Sequence, residues 1–165
     1  MEVKAAHVDL APAVLDYAKE CHQSGIEMYR AATNDPVVYL ESLVDRSKAD
    51  SSQLPEGWLP STTYYYLEDG VILGAIRVRN GTNDWVENVI GHIGYETRPS
   101  ARGKGVAKHL LSWVVNNAID ERVIVTCNVE NLPSRKVIEA CGGEYLGEHV
   151  DEGEGHVYRY CFYPI

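Results

Sequence analysis

The stretch that most restricts the fold is Gly91–Lys108, where a strand pattern runs into a glycine-rich, basic turn and the turn opens a helix. Trp85 to Thr97 reads as one long strand, with Gly91 and Gly94 as places for a bulge or a close backbone approach. From Gly103 the apolar residues Val106, Leu110, Leu111, Val114 and Val115 recur at helical spacing. Arg102-Gly103-Lys104-Gly105-Val106-Ala107 therefore stands at a helix start. Unpaired backbone N–H groups and the positive end of the helix dipole favour an anion there. Gly103 and Gly105 let a pyrophosphate approach the backbone, and Arg102 and Lys104 add charge. The plainer reading is a strand-to-helix turn that needs glycine for geometry. Two other phosphate loops fit poorly, because the stretch lacks both the four-residue gap before Gly-Lys-Ser/Thr and the third glycine of the dinucleotide fingerprint.

Upstream, Asp9 to Gly25 carries Leu10, Val14, Leu15 and Ala18 at helical spacing, with Pro12 near the start and Gly25 at the end. Asn34-Asp35-Pro36 is a second helix start, and Val38, Leu40, Leu43 and Val44 supply a stripe that fades in Asp45–Ser52. Ser51–Pro60 is a connecting loop. Thr62–Leu67, the turn Asp69-Gly70, Val71–Val78, a second turn at Asn80–Asp84 and the Trp85–Thr97 strand predict an antiparallel meander. Beyond the loop, Arg122–Val129 reads as a buried strand and Pro133–Cys141 as a short helix closed by Gly142-Gly143. Glu144–Val150 and His156–Tyr163 form a closing hairpin around the acidic turn Asp151–Gly155. This order predicts one α/β (α+β) domain over residues 1–165, with a helical segment at 1–60 and a sheet core at 61–165.

Composition narrows the partners. The chain has 165 residues and a net charge of −9, which disfavours nucleic acid and anionic lipid. The exception is the window from Thr97 to Ile119, which holds no acidic residue but does hold Arg98, Arg102, Lys104 and Lys108. No apolar run approaches the ~18 residues of a membrane span, and Met1-Glu2-Val3-Lys4 lacks the basic and apolar regions of a signal peptide, so a cytoplasmic protein is expected. Cys21, Cys127, Cys141 and Cys161 are scattered without zinc spacing, which predicts reduced structural thiols and no metal.

Arg102-Gly103-Lys104-Gly105-Val106-Ala107 resembles the acyl-CoA loop of the GNAT superfamily of N-acetyltransferases, written Arg/Gln-x-x-Gly-x-Gly/Ala. Thr97-Arg98-Pro99 resembles that family's strand end, and Asn131-Leu132-Pro133-Ser134 with Gly142-Gly143 resembles its later helix. The wording around Gly91–Tyr95 and Ser134–Glu139 is similar to a bacterial branch of predicted acetyltransferases. The resemblance runs from about Gly70 to the C-terminus and implies a mixed, mostly antiparallel sheet flanked by helices. It implies acetyl-CoA at a splay between the Gly91–Thr97 and Arg122–Val129 strands. Backbone groups around Tyr95–Thr97 would meet the pantetheine and polarise the thioester. The N–H groups of Gly103 to Ala107, Val106 included, would hold the pyrophosphate with Arg102 and Lys104 nearby. Asn131 and Ser134 would face the other side of the pantetheine or the thiol. The first sixty residues would belong to the substrate side.

The expected reaction is acetyl transfer to a primary amine by direct attack, so a base must take the ammonium proton. Glu87, His92 and Glu96 are candidates; His92 is the nearest match to the family's base, and also reads as an ordinary strand histidine. The family's acid tyrosine is replaced by Ile138. Either the thiolate leaves unaided, or Ser134, Cys141 or Tyr145 substitutes. Arg77 and Arg79 share a strand face and could clamp a substrate carboxylate, while the negative charge favours a cationic amine. The closing hairpin is a possible homodimer edge. A noncatalytic acyl-CoA-binding module and a nucleotide-binding regulator are the alternatives.

Overall fold

In the computed structural model, which describes residues 2–165, the chain opens on a strand that its sequence does not announce. Strand β1 (Glu2–Ala5) is short and mostly exposed, and it exists because it pairs antiparallel with Tyr64–Leu67 further along the chain. Helix α1 (Ala11–Gln23) has proline in its first turn and buries Val14, Tyr17, Ala18 and Cys21. A single helical turn at Glu27–Tyr29 leads into α2 (Arg30–Asn34), two small elements absent from the sequence reading. Helix α3 (Pro36–Lys48) starts as expected, with the Asp35 carboxylate accepting from the Val38 N–H at 3.1 Å.

Strands β2 (Ser61–Glu68) and β3 (Val71–Arg79) form the expected hairpin, with Asp69 and Gly70 both at positive φ. The strand expected over Trp85–Thr97 is not continuous. Val86–Ile90 coils into a π-helical turn, begun by the Asn83 side chain on the Val86 N–H and ended by Gly91, whose N–H returns to the Val86 carbonyl. Gly91 adopts φ +70, and a Cβ there would stand 2.9 Å from the Ile124 carbonyl oxygen. Only β4 (Ile93–Thr97) is extended, and it completes a sheet of order β1-β2-β3-β4.

Helix α4 (Val106–Asn117), strand β5 (Val123–Asn128), helix α5 (Leu132–Ala140) and strands β6 (Glu144–Asp151) and β7 (Gly155–Phe162) follow in the expected order. A second sheet runs β5-β7-β6, all antiparallel. One core packs Ile76, Val78 and Ile93 against Leu110, Leu111 and Val114 of α4 and against Val125, Tyr160 and Phe162 of the second sheet. The other packs Tyr65, Ile72 and Ala75 against Val14, Tyr17, Leu40 and their neighbours from α1 to α3. The first sheet is thus covered on both faces, as a layered α/β domain requires. Tyr64 and Tyr66 serve that packing, lying against Trp113 and His109.

Arg98 leaves the basic window to join this architecture. It is 7% exposed, and its guanidinium spans Asp16 and Glu20 of α1 and the Ile72 carbonyl of β3. All four cysteines are free thiols. Among the described residues no helix is long and apolar enough to cross a membrane, and no group of side chains is arranged to hold a metal.

Candidate functional site

Strands β4 and β5 belong to different sheets, and His92 joins them at one end. Its N–H donates to the Ile124 carbonyl at 2.7 Å, and its Nδ1 accepts the Ile124 N–H at 2.8 Å. The Thr126 hydroxyl adds a bond to the Val89 carbonyl at 2.9 Å. Beyond this junction the strands diverge around a cavity of about 1060 Å³. Gly94 to Thr97 form one wall, Thr126 to Asn128 with Asn131 and Ser134 the other, and Arg102, Gly103 and Gly105 to Lys108 the mouth.

Register decides which backbone groups the cavity meets. The Arg79 N–H donates to the His92 carbonyl and the Arg98 N–H to the Leu73 carbonyl, so Gly94 and Glu96 bond to β3. The N–H and C=O groups of Tyr95 and Thr97 consequently turn toward β5 and the cavity. At the mouth, Gly105 caps α4 in the left-handed conformation at φ +79, Gly103 lies at φ +77, no side chain caps the helix and its first turn holds no acidic residue. That is a bare N-terminus suited to an anion.

The side chains of β4 alternate. Tyr95 reaches Ser134, hydroxyl to hydroxyl at 2.7 Å, and the Ser134 N–H is held by the Asn131 side chain at 3.2 Å. Burial pushes the Tyr95 phenol up to about 12, against the lowering effect of the Ser134 bond. On the opposite face Glu96 is gripped by the Arg77 fork, with Nη1 to Oε1 at 2.9 Å and Nη2 to Oε2 at 2.5 Å, and it also accepts from the Tyr29 hydroxyl. The Tyr17 hydroxyl lies 3.4 Å behind that of Tyr29. Burial foremost, then the Glu96 charge, keeps both phenols well above their ordinary range, so they remain donors.

The cavity gathers most of the residues singled out in the sequence. Glu96, Tyr95, Thr97, Arg102, Gly103, Gly105, Val106, Ala107, Asn131 and Ser134 line it; Lys104 does not. Of the three stand-ins for the missing acid, Ser134 alone lines it: the Cys141 thiol donates to the Lys108 carbonyl, and Tyr145 is 50% exposed against Tyr158 and Tyr160. Ile138 is fully buried. The Asp151 carboxylate caps the Gly153 and Glu154 N–H groups of its own turn. Arg77 and Arg79 do not act as a pair, since Arg77 is committed to Glu96.

His92 stands apart from Glu96. It lines a separate cavity of about 580 Å³ with Glu87 and Arg122, and Glu87 itself pairs with Arg122 at 2.7 Å. Burial lowers the His92 pKa while Glu87 opposes, and Nδ1 is already occupied by the Ile124 N–H. The ring is thus a neutral acceptor that stitches two sheets. His92→Ala is expected to leave a buried N–H unpaired and cost about 1–3 kcal/mol, read as a lower urea midpoint, with His92→Asn recovering part. Because the folded-state pKa is depressed, the wild type should also lose stability relative to His92→Asn as pH falls through the unfolded value of about 6.5. An unchanged midpoint in His92→Ala would remove this role.

Sequence reasoning missed three participants. Tyr29 lies in a short turn with no pattern of its own. The Arg77–Glu96 pair had a signal, opposite charges on neighbouring strands, but needed the strand register. The Tyr95 side chain was hidden behind the expected use of its backbone.

The sequence model of the Acetyltransferase (GNAT) family matches residues 26–142, well over half of the chain. A ribosomal-protein alanine acetyltransferase from Vibrio fischeri has a similar structure, with TM-score 0.70 and 16% identity over 98% of this chain and 91% of that one. The ribosomal-protein N-acetyltransferase RimL, solved with coenzyme A, gives TM-score 0.68 and 14% identity over 98% and 93%. The microcin self-immunity acetyltransferase MccE, solved with acetyl-CoA and AMP, gives 0.67 and 14% over 98% and 92%. No curated protein sequence matches the chain. At these identities the structures speak for the fold, while the family match covers the strands, the loop and the helix start that build the cavity, and on that match the chain belongs to the GNAT acetyltransferase family.

Proposed function

We propose that the protein transfers the acetyl group of acetyl-CoA to a primary amine by direct attack in a ternary complex. The observation that carries this reading is that one cavity is bounded both by the free backbone edge of Tyr95 and Thr97 and by the bare, glycine-capped start of α4. A pantetheine arm needs the first and a pyrophosphate the second. The N–H groups from Gly103 to Ala107, with Arg102, hold the pyrophosphate, and Lys104 adds charge from outside the wall. The Tyr95 and Thr97 backbone groups orient the pantetheine, and the N–H aimed at the thioester oxygen stabilises the charge that develops there. Structures with coenzyme A and with acetyl-CoA among the fold's neighbours support this placement.

As the amine nitrogen bonds to the thioester carbon, Glu96 takes the ammonium proton, directly or through one water. The C–S bond breaks and the thiolate receives a proton from the Tyr95 hydroxyl; the phenolate, held meanwhile by the Ser134 hydroxyl, regains its proton from solvent. Tyr95 suits this role because burial keeps it protonated. It offers from β4 what Ile138 cannot offer from α5.

Calorimetric titration with acetyl-CoA, with ATP and NAD as controls, tests the reading before any acceptor is known. Micromolar affinity, about −8 kcal/mol, selective for acetyl-CoA, is expected. Free-thiol release with an amine then separates an enzyme from a binding module. Absent binding, or equal binding of the three ligands, would defeat the proposal.

A further inference from the structure

Next to the catalytic cleft lies a second, smaller cavity of about 280 Å³, walled by Arg46, Trp58, Arg79 and Trp85. Ile90 lines both cavities and is the partition between them. The two arginines come from different elements, Arg46 from α3 and Arg79 from β3, so the fold brings them together on purpose-built walls rather than along one surface helix.

Among the described residues neither guanidinium has an acidic partner. Arg46 lies over the Trp58 ring at 4.8 Å, reaches the Leu59 carbonyl only at 3.5 Å, and keeps a buried Nε with no acceptor. Arg79 donates one bond, from Nη1 to the Gly91 carbonyl at 3.0 Å. Among the described residues, Arg30, Arg77, Arg98, Arg122 and Arg135 each reach a carboxylate, whereas Arg102 and Arg159 do not. Acidic residues are plentiful in a protein of net charge −9, yet these two half-buried arginines face one cavity without a carboxylate and Arg46 keeps its buried Nε unsatisfied, which points to a counter-ion from outside. Burial, and repulsion from Arg77, disfavour the charge on both, consistent with an unmet demand for an anion.

Spacing then says what carries that anion. Arg77 and Arg79 occupy alternate positions of β3 on one face, about 7 Å apart along the strand. Arg77 grips Glu96, the proposed proton acceptor for the amine. An amine presented to Glu96 and an anion presented to Arg79 thus fall within the reach of one small molecule. Trp58 and Trp85, 51% and 43% exposed, offer flat apolar faces beside it.

We propose that the acceptor is an amine bearing its own carboxylate or phosphate a few bonds away, an amino-acid-like molecule, whose anionic group docks between Arg46 and Arg79 beside Trp58. The proposal rests on the acetyl-transfer reading and differs from the sequence-based expectation that the negative charge favours a cationic amine. A polyamine would bring a second positive charge against the two arginines.

The test compares matched amines with acetyl-CoA and a thiol readout: phenylalanine with phenethylamine, tryptophan with tryptamine, O-phosphoethanolamine with ethanolamine. At least one acid-bearing member is expected to exceed its partner tenfold or more in kcat/KM. Carboxylate and phosphate arms show which anion is used. Arg79→Gln and Arg46→Gln should each cut that preference tenfold or more, through KM, while acetyl-CoA binding by calorimetry stays within twofold. Should Arg79→Gln fail to fold, Arg79→Lys keeps the charge, loses the fork and is expected to lose most of the preference. Better turnover of the acid-free amines, or an unchanged preference in the arginine variants, overturns the proposal. So does acetylation confined to peptides with acidic residues, which would make the cavity a protein-docking site. A protein that binds acetyl-CoA and acetylates none of the acid-bearing amines defeats this inference alone; one that does not bind acetyl-CoA defeats the reading beneath it and this inference too.

Discussion

Gly105→Glu is expected to weaken acetyl-CoA binding at least a hundredfold while Gly105→Ala retains most of it. Gly105 sits at φ +79 with no heavy atom within 4 Å of where a Cβ would stand. A side chain there meets no neighbour, so its structural cost is the left-handed backbone alone, about 1–2 kcal/mol. Alanine carries only that cost, seen as a lower thermal midpoint. Glutamate carries the same cost and also brings a negative charge to an uncapped helix start whose first turn holds no acidic residue. It competes with the pyrophosphate for the same N–H groups and repels it, and a hundredfold loss corresponds to about 2.7 kcal/mol. Calorimetry on the two variants separates charge from strain. Equal affinities for the glutamate and alanine forms would show that the pyrophosphate lies elsewhere.

What could be read from the sequence was local. The Asp35 cap, the Asp69-Gly70 hairpin turn and the switch from strand to helix at Gly103–Gly105 are each set by residues within a few positions of one another, and each forms as its chemistry dictates. What could not be read depends on partners far along the chain. β1 is four residues whose strand state comes from Tyr64–Leu67, and no propensity inside Glu2–Ala5 signals it. The π-helical turn at Val86–Ile90 interrupts a stretch whose composition favours a strand, because Asn83 supplies a cap and Gly91 a stop.

The same division explains the site. The glycine-rich mouth of the cavity was legible because a glycine turn before a helix is a contiguous signal. The setting of Glu96 was not, because it depends on Tyr29, 67 positions away, and Arg77, 19 positions away. His92 misled for a related reason. As a residue type it suits proton transfer, but its ring is consumed by the Ile124 N–H across the junction of the two sheets. The divergence of β4 from β5 that creates the cavity begins at that bond, so His92 helps shape the cavity from a position outside its lining.

Glu96→Gln is the substitution expected to cost the most activity, lowering kcat with any accepted amine by about 10²–10⁴-fold, the range of a positioned general base. Glutamine keeps a carbonyl oxygen for Tyr29 or one arm of Arg77, so the site keeps most of its shape. It cannot take a proton. The change also removes the charge facing Arg77, and loss of that charged hydrogen bonding should cost roughly 1.5–3 kcal/mol of stability. A lower thermal midpoint therefore says nothing about mechanism, and the deciding readout is the pH dependence. In Glu96→Gln, kcat should rise only in proportion to hydroxide, unlike the wild type, with acetyl-CoA affinity unchanged. Tyr29→Phe gives the calibrating comparison, because it deletes one donor to Glu96, leaves the carboxylate and its Arg77 fork in place, and is expected to cost less than tenfold. If Glu96→Gln retains a third or more of the wild-type kcat with its pH profile intact, Glu96 is a structural partner of Arg77, and the ammonium proton must leave by water alone.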